Sequence, residues 1–212
     1  MRRIMLLSLL VSVASITAHG QITVDCPSPK FKPPSEQYRG TLKHRAPGDP
    51  TGSMIHASDM YTWPKVTVDE AGAATQGPLA NTPEAKTFTL DAFLWQAKVE
   101  GNDCEIHLEL NDSQTDSSAN RVIVEIPPDP DVSSDYQTML QLIKKTFPKT
   151  KVFGPDVAFR FKKPVHMKIT GFGFFDGVHE HFAQTEGGNG GHGSQSVQTF
   201  WELHPGWHVV LQ

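Results

Sequence analysis

The sequence predicts a mainly β protein, in which a small five-stranded Greek-key barrel with one helix follows a proline-rich N-terminal arm. Three observations predict this fold class. Apolar and polar residues alternate in several stretches after residue 87, and one stretch between them has helical spacing. The chain has 212 residues, of which 38% are hydrophobic and 20% charged, with only 2 Cys. This composition excludes a coiled coil, a disordered acidic chain, a disulfide scaffold and a multi-span membrane protein.

Residues 1–20 have the pattern of a secretory signal peptide. Arg2 and Arg3 precede an apolar run over Ile4–Ile16, and Ala18-His19-Gly20 supplies small residues at a cleavage position. The apolar run is shorter than the roughly 20 residues that span a bilayer. We therefore expect an exported protein, secreted or periplasmic, without a stable membrane anchor.

Residues 21–86 predict an extended arm. Prolines interrupt this segment so often that few stretches are long enough to show a period of 2 or 3.6. Two behaviours fit the composition: the arm wraps the core, or it remains partly disordered. Part of it is expected to dock on an apolar surface through Met54, Met60, Tyr61 and Trp63.

The two cysteines, Cys26 and Cys104, lie in the arm and in the centre of the chain. An oxidising compartment favours a disulfide between them. Two separate thiols remain the alternative, because the sequence does not place the two residues within bridging distance.

Residues 87–212 predict three strands, one helix and two strands, in that order. The strands cover Thr87–Val99, Cys104–Leu110, Arg121–Ile126, Val165–Phe175 and Gln198–Leu211, the last being one strand or a pair interrupted at Pro205-Gly206. The helix begins near Ser133 or Ser134, which can cap it. Residues 177–199 are predicted as a mobile, glycine-rich loop. This order is that of an oligonucleotide/oligosaccharide-binding (OB) barrel, and an α+β sheet with one covering helix is the alternative.

Two segments resemble the staphylococcal-nuclease-like OB domain: the turn Asp103-Cys104-Glu105 and the stretch Val124-Glu125-Ile126-Pro127 before the helix. The resemblance implies that Asp103 and Glu105 match the family's turn carboxylates and that Glu125 matches an aspartate that shares its Ca²⁺. Arg121 lies one position from the family's first catalytic arginine. Ile126 replaces a threonine ligand, Pro128 stands at the general-base position, and no second arginine is identifiable. The resemblance therefore implies the fold more directly than nuclease activity.

Five short boxes also resemble a set of exported bacterial proteins that carry them in the same order. The boxes are Lys98-x-Glu100, Asp103-x-Glu105-Ile106-His107, Val124-Glu125-Ile126-Pro127, Gly173-Phe174-Phe175-Asp176-x-x-His179 and Glu202-Leu203-His204-Pro205. This resemblance covers roughly residue 87 to the C-terminus. It implies a shared fold and no particular reaction.

Carboxylates and imidazoles are concentrated on or near the predicted strands. The set comprises Glu100, Asp103, Glu105, His107, Glu125, Asp176, His179, His181, Glu202 and His204. Mixed carboxylate and imidazole donors suit Zn²⁺, Mn²⁺ or Fe²⁺, whereas carboxylates alone favour Ca²⁺ or Mg²⁺. The spacing predicts one divalent metal of open identity on Asp176, His179 and His204. Glu125 or Glu202 would then be the general base on a bound water.

A structural role for the same residues is the competing hypothesis. Glu105, His107 and Glu109 alternate with apolar residues as on a solvated strand face, and we expect His107 to pair with a carboxylate structurally. His192 is expected to have neither role, since its glycine neighbours give it no fixed position.

Two functions remain open. One is a metal-dependent hydrolase of the phosphodiesterase or nuclease type. The other is a non-catalytic exported binding module whose polar residues form structural networks. The formal net charge of -4 gives no bulk electrostatic signal for a nucleic-acid or anionic-membrane partner.

Overall fold

The computed structural model describes residues 39–66, 77–101, 103–149, 156–188 and 190–212. The predicted signal peptide and Cys26 lie outside the described residues. Export and the pairing of Cys26 with Cys104 therefore stay predictions. Within the described ranges, no helix is long and apolar enough to cross a membrane.

The predicted OB-like barrel is confirmed. The strands are β1 (Ser53–Ile55), β2 (Thr87–Val99), β3 (Ile106–Asn111), β4 (Arg121–Ile126), β5 (Phe159–Phe175) and β6 (Val197–Leu211). They pair in the order β1-β2-β3-β4-β6-β5, and β5 pairs back to β2, which closes a barrel of five strands with β1 as an addition. The β4–β6 and β1–β2 pairs are parallel and the others antiparallel.

Alternation along the strands fills the barrel with apolar side chains. Ile106, Leu108 and Leu110 of β3 belong to one buried core with Val124 and Ile126 of β4. Helix α3 (Ser133–Thr146) adds buried residues of its own to this core, namely Tyr136, Met139, Leu140 and Ile143. Each aliphatic side chain fully removed from water contributes about 1.5–3 kcal/mol, so this core is the main stabilising feature of the domain.

β6 is one strand that continues through Pro205-Gly206, the first of the two predicted alternatives. Two elements differ from their predicted form. β5 begins at Phe159, six residues before its predicted start at Val165. The segment predicted as a mobile loop contains a ten-residue helix, α4 (Gly177–Glu186). The Asp176 carboxylate caps it by accepting hydrogen bonds from the backbone N–H groups of Val178 and His179. The N-cap signal was present in the sequence, but the many glycines that follow obscured it.

The described part of the arm packs against the barrel. It forms α1 (Gly40–Lys43), β1, α2 (Ala57–Met60) and a 3₁₀ turn over Pro83–Ala85. Met60 is fully buried, and the Trp63 ring lies 4.7 Å from that of Phe88. The expected docking of the arm is therefore confirmed at these two residues and at Tyr61, which also packs against the core, whereas Met54 is 55% exposed.

A buried ion pair joins two segments of the arm, at Arg39 and Glu84, and both side chains also bond the backbone of Phe175 in β5. The guanidinium of Arg39 donates hydrogen bonds of 2.5 and 2.6 Å to the two carboxylate oxygens of Glu84, and both side chains are fully buried. The backbone of β5 approaches this turn so closely that a Cβ at Gly173 would lie 2.6 Å from the carbonyl oxygen of Pro83. Only glycine fits at that position of the strand.

Candidate functional site

The candidate site lies on the outer face of the barrel, on strands β3, β4 and β6. His107 and Glu109 alternate with the core residues of β3, and Glu125 is paired with His107 across the β3–β4 ladder. The sequence hypothesis of a solvated strand face is wrong in one respect. The face points away from the barrel interior, but it is buried, since His107 is 3% exposed and Glu109 0%. Helices α1 and α4 and the glycine-rich segment after α4 (residues 190–193) cover it.

A pocket of about 160 Å³ opens between these covering segments and the strands. Charged and imidazole side chains dominate its walls. They are Lys43, Lys98, Glu100, Asp103, His107, Glu125, Asp176, His179 and His192, with Gly191 and Gly193 completing the lining. Two separate groups of metal-compatible donors therefore face the same small volume.

The first group is Asp176, His179 and His192, whose ligand atoms lie within 4.8 Å of one another. Nδ1 of His179 lies 2.8 Å from Oδ2 of Asp176. Burial raises the pKa of Asp176, but the hydrogen bond and charge of His179 outweigh it and hold the pKa below the ordinary value. Burial lowers the pKa of His179, but the hydrogen bond and charge of Asp176 raise it by more, so that the pKa lies above its ordinary value.

His192 was expected to have no fixed position, and that expectation is wrong. The ring is 2% exposed, and its Nε2 lies 2.6 Å from Oε1 of Glu202. The glycine-rich segment can bring His192 there because its backbone approaches the strands very closely. Gly193 has φ +72°, and a Cβ on it would lie 3.0 Å from Oε1 of Glu109.

The second group is Glu100, His107 and Glu125, again with ligand atoms within 4.8 Å. Nδ1 of His107 lies 3.0 Å from Oε1 of Glu125 and 3.5 Å from Oε1 of Glu100. The expected pairing of His107 with a carboxylate is therefore confirmed. Burial lowers the pKa of His107, but the carboxylate of Glu109, 3.7 Å away, and the hydrogen-bonded carboxylate of Glu125 raise it to about 10.

The third group, Glu105, Glu125 and His204, is almost fully buried. Nε2 of His204 lies 3.3 Å from Oε1 of Glu105, and Nδ1 lies 3.1 Å from Oε2 of Glu125. Both contacts are short enough for ion pairs, but neither is aligned as a hydrogen bond. Burial raises the pKa of Glu125, yet Lys43, His107 and His204 together hold it well below its usual range.

Glu109 anchors the cover of the site rather than lining the pocket. Its carboxylate accepts hydrogen bonds from Arg121 (2.9 Å), Gln96 (2.9 Å) and the backbone N–H of Ser194 (2.7 Å). Arg121, the residue nearest the nuclease family's first catalytic arginine, is therefore engaged with Glu109. Burial raises the pKa of Glu109, but the nearby His107 imidazole and the hydrogen bonds from Ser194 lower it to about 2.

Lys43 of the arm supplies a cation that the sequence reasoning missed. Its Nζ lies 3.8 Å from Oε2 of Glu105 and 3.8 Å from Oε2 of Glu125. Burial lowers the pKa of Lys43, but the surrounding carboxylates raise it well above the ordinary value. The lysine was missed because the proline-rich arm was expected to be extended, and no local pattern marks a residue that inserts into a distant site.

Two carboxylates on the pocket wall hold protons more strongly than usual. Burial raises the pKa of Glu100, and burial together with the charge of Glu105 raises the pKa of Asp103 to about 6. Asp103 forms no ion pair with any of the described residues within 4.0 Å. The other pocket carboxylates contact an imidazole or an ammonium group.

The predicted site residues are divided between neighbouring groups. Asp176 and His179 lie together as predicted, but His192 completes their group. His204 lies with Glu105 and Glu125 in the third group. Glu202 connects the first group to the third, because its Oε1 contacts His192 and its Oε2 lies 3.5 Å from Nδ1 of His204. His181 belongs to none of the three groups among the described residues.

No protein-family model matches the chain, and comparisons with curated proteins and with solved structures find no significant match. The chain forms an OB-like barrel that carries several carboxylate and imidazole groups within metal-binding distance of one another.

Proposed function

We propose that this protein is an exported, metal-dependent hydrolase that acts on phosphodiesters. One observation carries the proposal: two imidazoles and one carboxylate, those of His179, His192 and Asp176, converge on one wall of a small polar pocket. Three protein ligands with an open side toward a pocket are the usual arrangement of a catalytic zinc ion.

The residues behind this group support a metal role. Metal-binding histidines commonly engage a carboxylate through the ring nitrogen that faces away from the ion, which fixes the ring. The contact of 2.6 Å between Nε2 of His192 and Glu202 has this form. Glu202 is therefore a positioning residue in this proposal, in contrast to the general-base role expected from the sequence.

The proposed base is Asp103, which lines the same pocket. Glu125, the other base expected from the sequence, is the weaker candidate because His107, His204 and Lys43 surround its two oxygens. A divalent ion lowers the pKa of a bound water, and Asp103 would accept the proton that this water loses.

A phosphodiester is the proposed substrate class because the pocket holds ammonium groups as well as metal ligands. Lys43 and Lys98 line it from two sides, and cations there stabilise charge on a phosphoryl oxygen in the transition state. The net charge of -4 argues for a small phosphodiester in preference to a long nucleic acid.

A second candidate function, a non-catalytic binding module, is favoured by the hydrogen bonds within the groups. His107, His179 and His192 each already have a carboxylate partner within 3.0 Å. In that case the imidazoles are structural supports that need no ion.

Metal content and hydrolysis of bis(4-nitrophenyl) phosphate decide between the two. Protein purified without a tag should contain a divalent metal, lose activity in EDTA and regain it with Zn²⁺ or Mn²⁺. His179→Gln removes a proposed ligand and should lower the activity by more than the roughly 10–100-fold that loss of an outer-shell partner costs. His181→Gln is the matched control on the same helix and should leave the activity unchanged. Metal-free protein with no hydrolysis under any of these conditions would refute the hydrolase and support the binding module.

A further inference from the structure

Five buried polar atoms beneath the pocket form no hydrogen bond with the described residues. They are both carboxylate oxygens of Glu105, Oε2 of Glu202 and both ring nitrogens of His204. Each of these three residues is at most 1% exposed. Native structures leave few buried polar atoms unsatisfied, so a cluster of five requires an explanation.

The ligand atoms of three buried residues lie close enough together to share one ion. One atom from each of Glu105, Glu125 and His204 lies within 4.8 Å of the other two. Nε2 of His204 lies 3.3 Å from Glu105 and Nδ1 lies 3.1 Å from Glu125, and an ion would use only one of these two nitrogens. Two ligands of a tetrahedral ion are about 3.3 Å apart, so the side chains would draw together around it.

We propose that Glu105, Glu125 and His204 bind a second divalent cation, of the Zn²⁺, Mn²⁺ or Fe²⁺ class, beneath the floor of the pocket. Glu202 supports this site through its contact of 3.5 Å with Nδ1 of His204. Two carboxylates and one imidazole are a donor set that these ions accept.

Two protein groups lie where they would replace the ion, and neither does so fully. The ammonium of Lys43 lies 3.8 Å from both Glu105 and Glu125, which is too long for a hydrogen bond. A doubly protonated His204 would satisfy its neighbours only with aligned N–H groups, and these contacts are not aligned.

This second site does not depend on the proposed hydrolase. The pocket ion uses Asp176, His179 and His192, whereas the buried ion uses three other residues. Glu202 contacts one residue of each group, and it is a proposed ligand of neither. The two sites can therefore be removed one at a time.

Zinc stoichiometry tests the proposal. The full-length protein is stripped with EDTA, incubated with excess Zn²⁺, passed through a desalting column and analysed for zinc per chain. Wild type should retain two equivalents, and His204→Gln and Glu105→Gln should each retain one. The pocket variant His179→Gln should also retain one. The control His166→Gln changes a histidine that pairs with Asp91, away from both sites, and should retain two.

The possible results separate the two proposals. If His204→Gln does not fold, judged by circular dichroism, then Glu105→Gln decides, because it keeps the shape of the side chain. One equivalent in wild type that is lost in His179→Gln and kept in Glu105→Gln would overturn the buried site and leave the pocket ion standing. One equivalent with the opposite pattern would support the buried site and remove the pocket ion. Zinc-free wild type would overturn both.

Discussion

Glu84→Gln should destabilise the protein strongly, and more than Arg39→Met does. The Glu84 carboxylate accepts four hydrogen bonds in a fully buried setting. Two come from the guanidinium of Arg39, one from the backbone N–H of Leu79 at 2.9 Å and one from that of Phe175 at 3.0 Å. Glutamine has a single acceptor oxygen, so some of these donors lose their partner while the positive charge of Arg39 remains buried.

The size of the effect follows from burial. Removing one partner of a buried ion pair costs about 3–5 kcal/mol, which corresponds to a fall in Tm of about 6–20 °C for a chain of this size. Arg39→Met should cost less, about 3 kcal/mol, because the carboxylate that it leaves behind still accepts two backbone hydrogen bonds. An exposed pair gives the matched control. Lys168 lies 3.4 Å from Asp91 with both side chains partly exposed, and Lys168→Met should cost less than about 1 kcal/mol.

Urea denaturation followed by intrinsic tryptophan fluorescence measures these differences. The three variants are compared at one pH and one salt concentration, so that screening is equal. A cost below about 1 kcal/mol for Glu84→Gln would show that the arm does not dock on the barrel through this pair. A larger cost for Arg39→Met than for Glu84→Gln would show that the backbone N–H groups of Leu79 and Phe175 do not stabilise the Glu84 carboxylate when Arg39 is absent.

Two further predictions concern the cover of the site. The folded pKa of Glu109, about 2, lies below its unfolded value, so its stabilisation is present above about pH 4.3 and is lost as the pH falls toward 2. The difference in unfolding free energy between wild type and Glu109→Gln should therefore shrink by about 3 kcal/mol between pH 6 and pH 2, and a difference independent of pH would contradict this. Gly193→Ala should destabilise by about 1–3 kcal/mol more than Gly191→Ala, measured by urea denaturation. Both positions have positive φ, but of the two only Gly193 would place the new Cβ against neighbours, at 2.9 Å from Val197 and 3.0 Å from Glu109. Equal costs for the two variants would show that backbone strain alone is responsible.

The barrel could be predicted from the sequence because its signals are local. A strand with one face in an apolar core alternates with period 2, and Ile106–Asn111 shows this within six residues. The prediction fails where local signals compete, as in α4. Its capping residue Asp176 favours a helix, whereas the glycines that follow favour a loop, and residues 177–186 form a helix. The strands and the single long helix therefore followed from the sequence, and α4 did not.

The site was only partly predictable for a different reason. Sequence spacing correctly predicted that Asp176 lies near His179, since the two are three residues apart at the start of α4. Sequence spacing could not predict the contacts of His192 with Glu202 or of Lys43 with Glu125, because these contacts join segments that meet only after the barrel has closed.

The sequence by itself determined the class of fold, the placement of apolar residues inside the barrel and the concentration of carboxylates and imidazoles on its strands. Only the tertiary structure decided which of those polar residues face one another. Alternation distinguishes the inner face of a strand from the outer face, but it is the same whether the outer face meets water or another segment of the chain. Here α1, α4 and the backbone around Gly193 cover that face, and their cover converts a row of polar side chains into a buried, electrostatically coupled site.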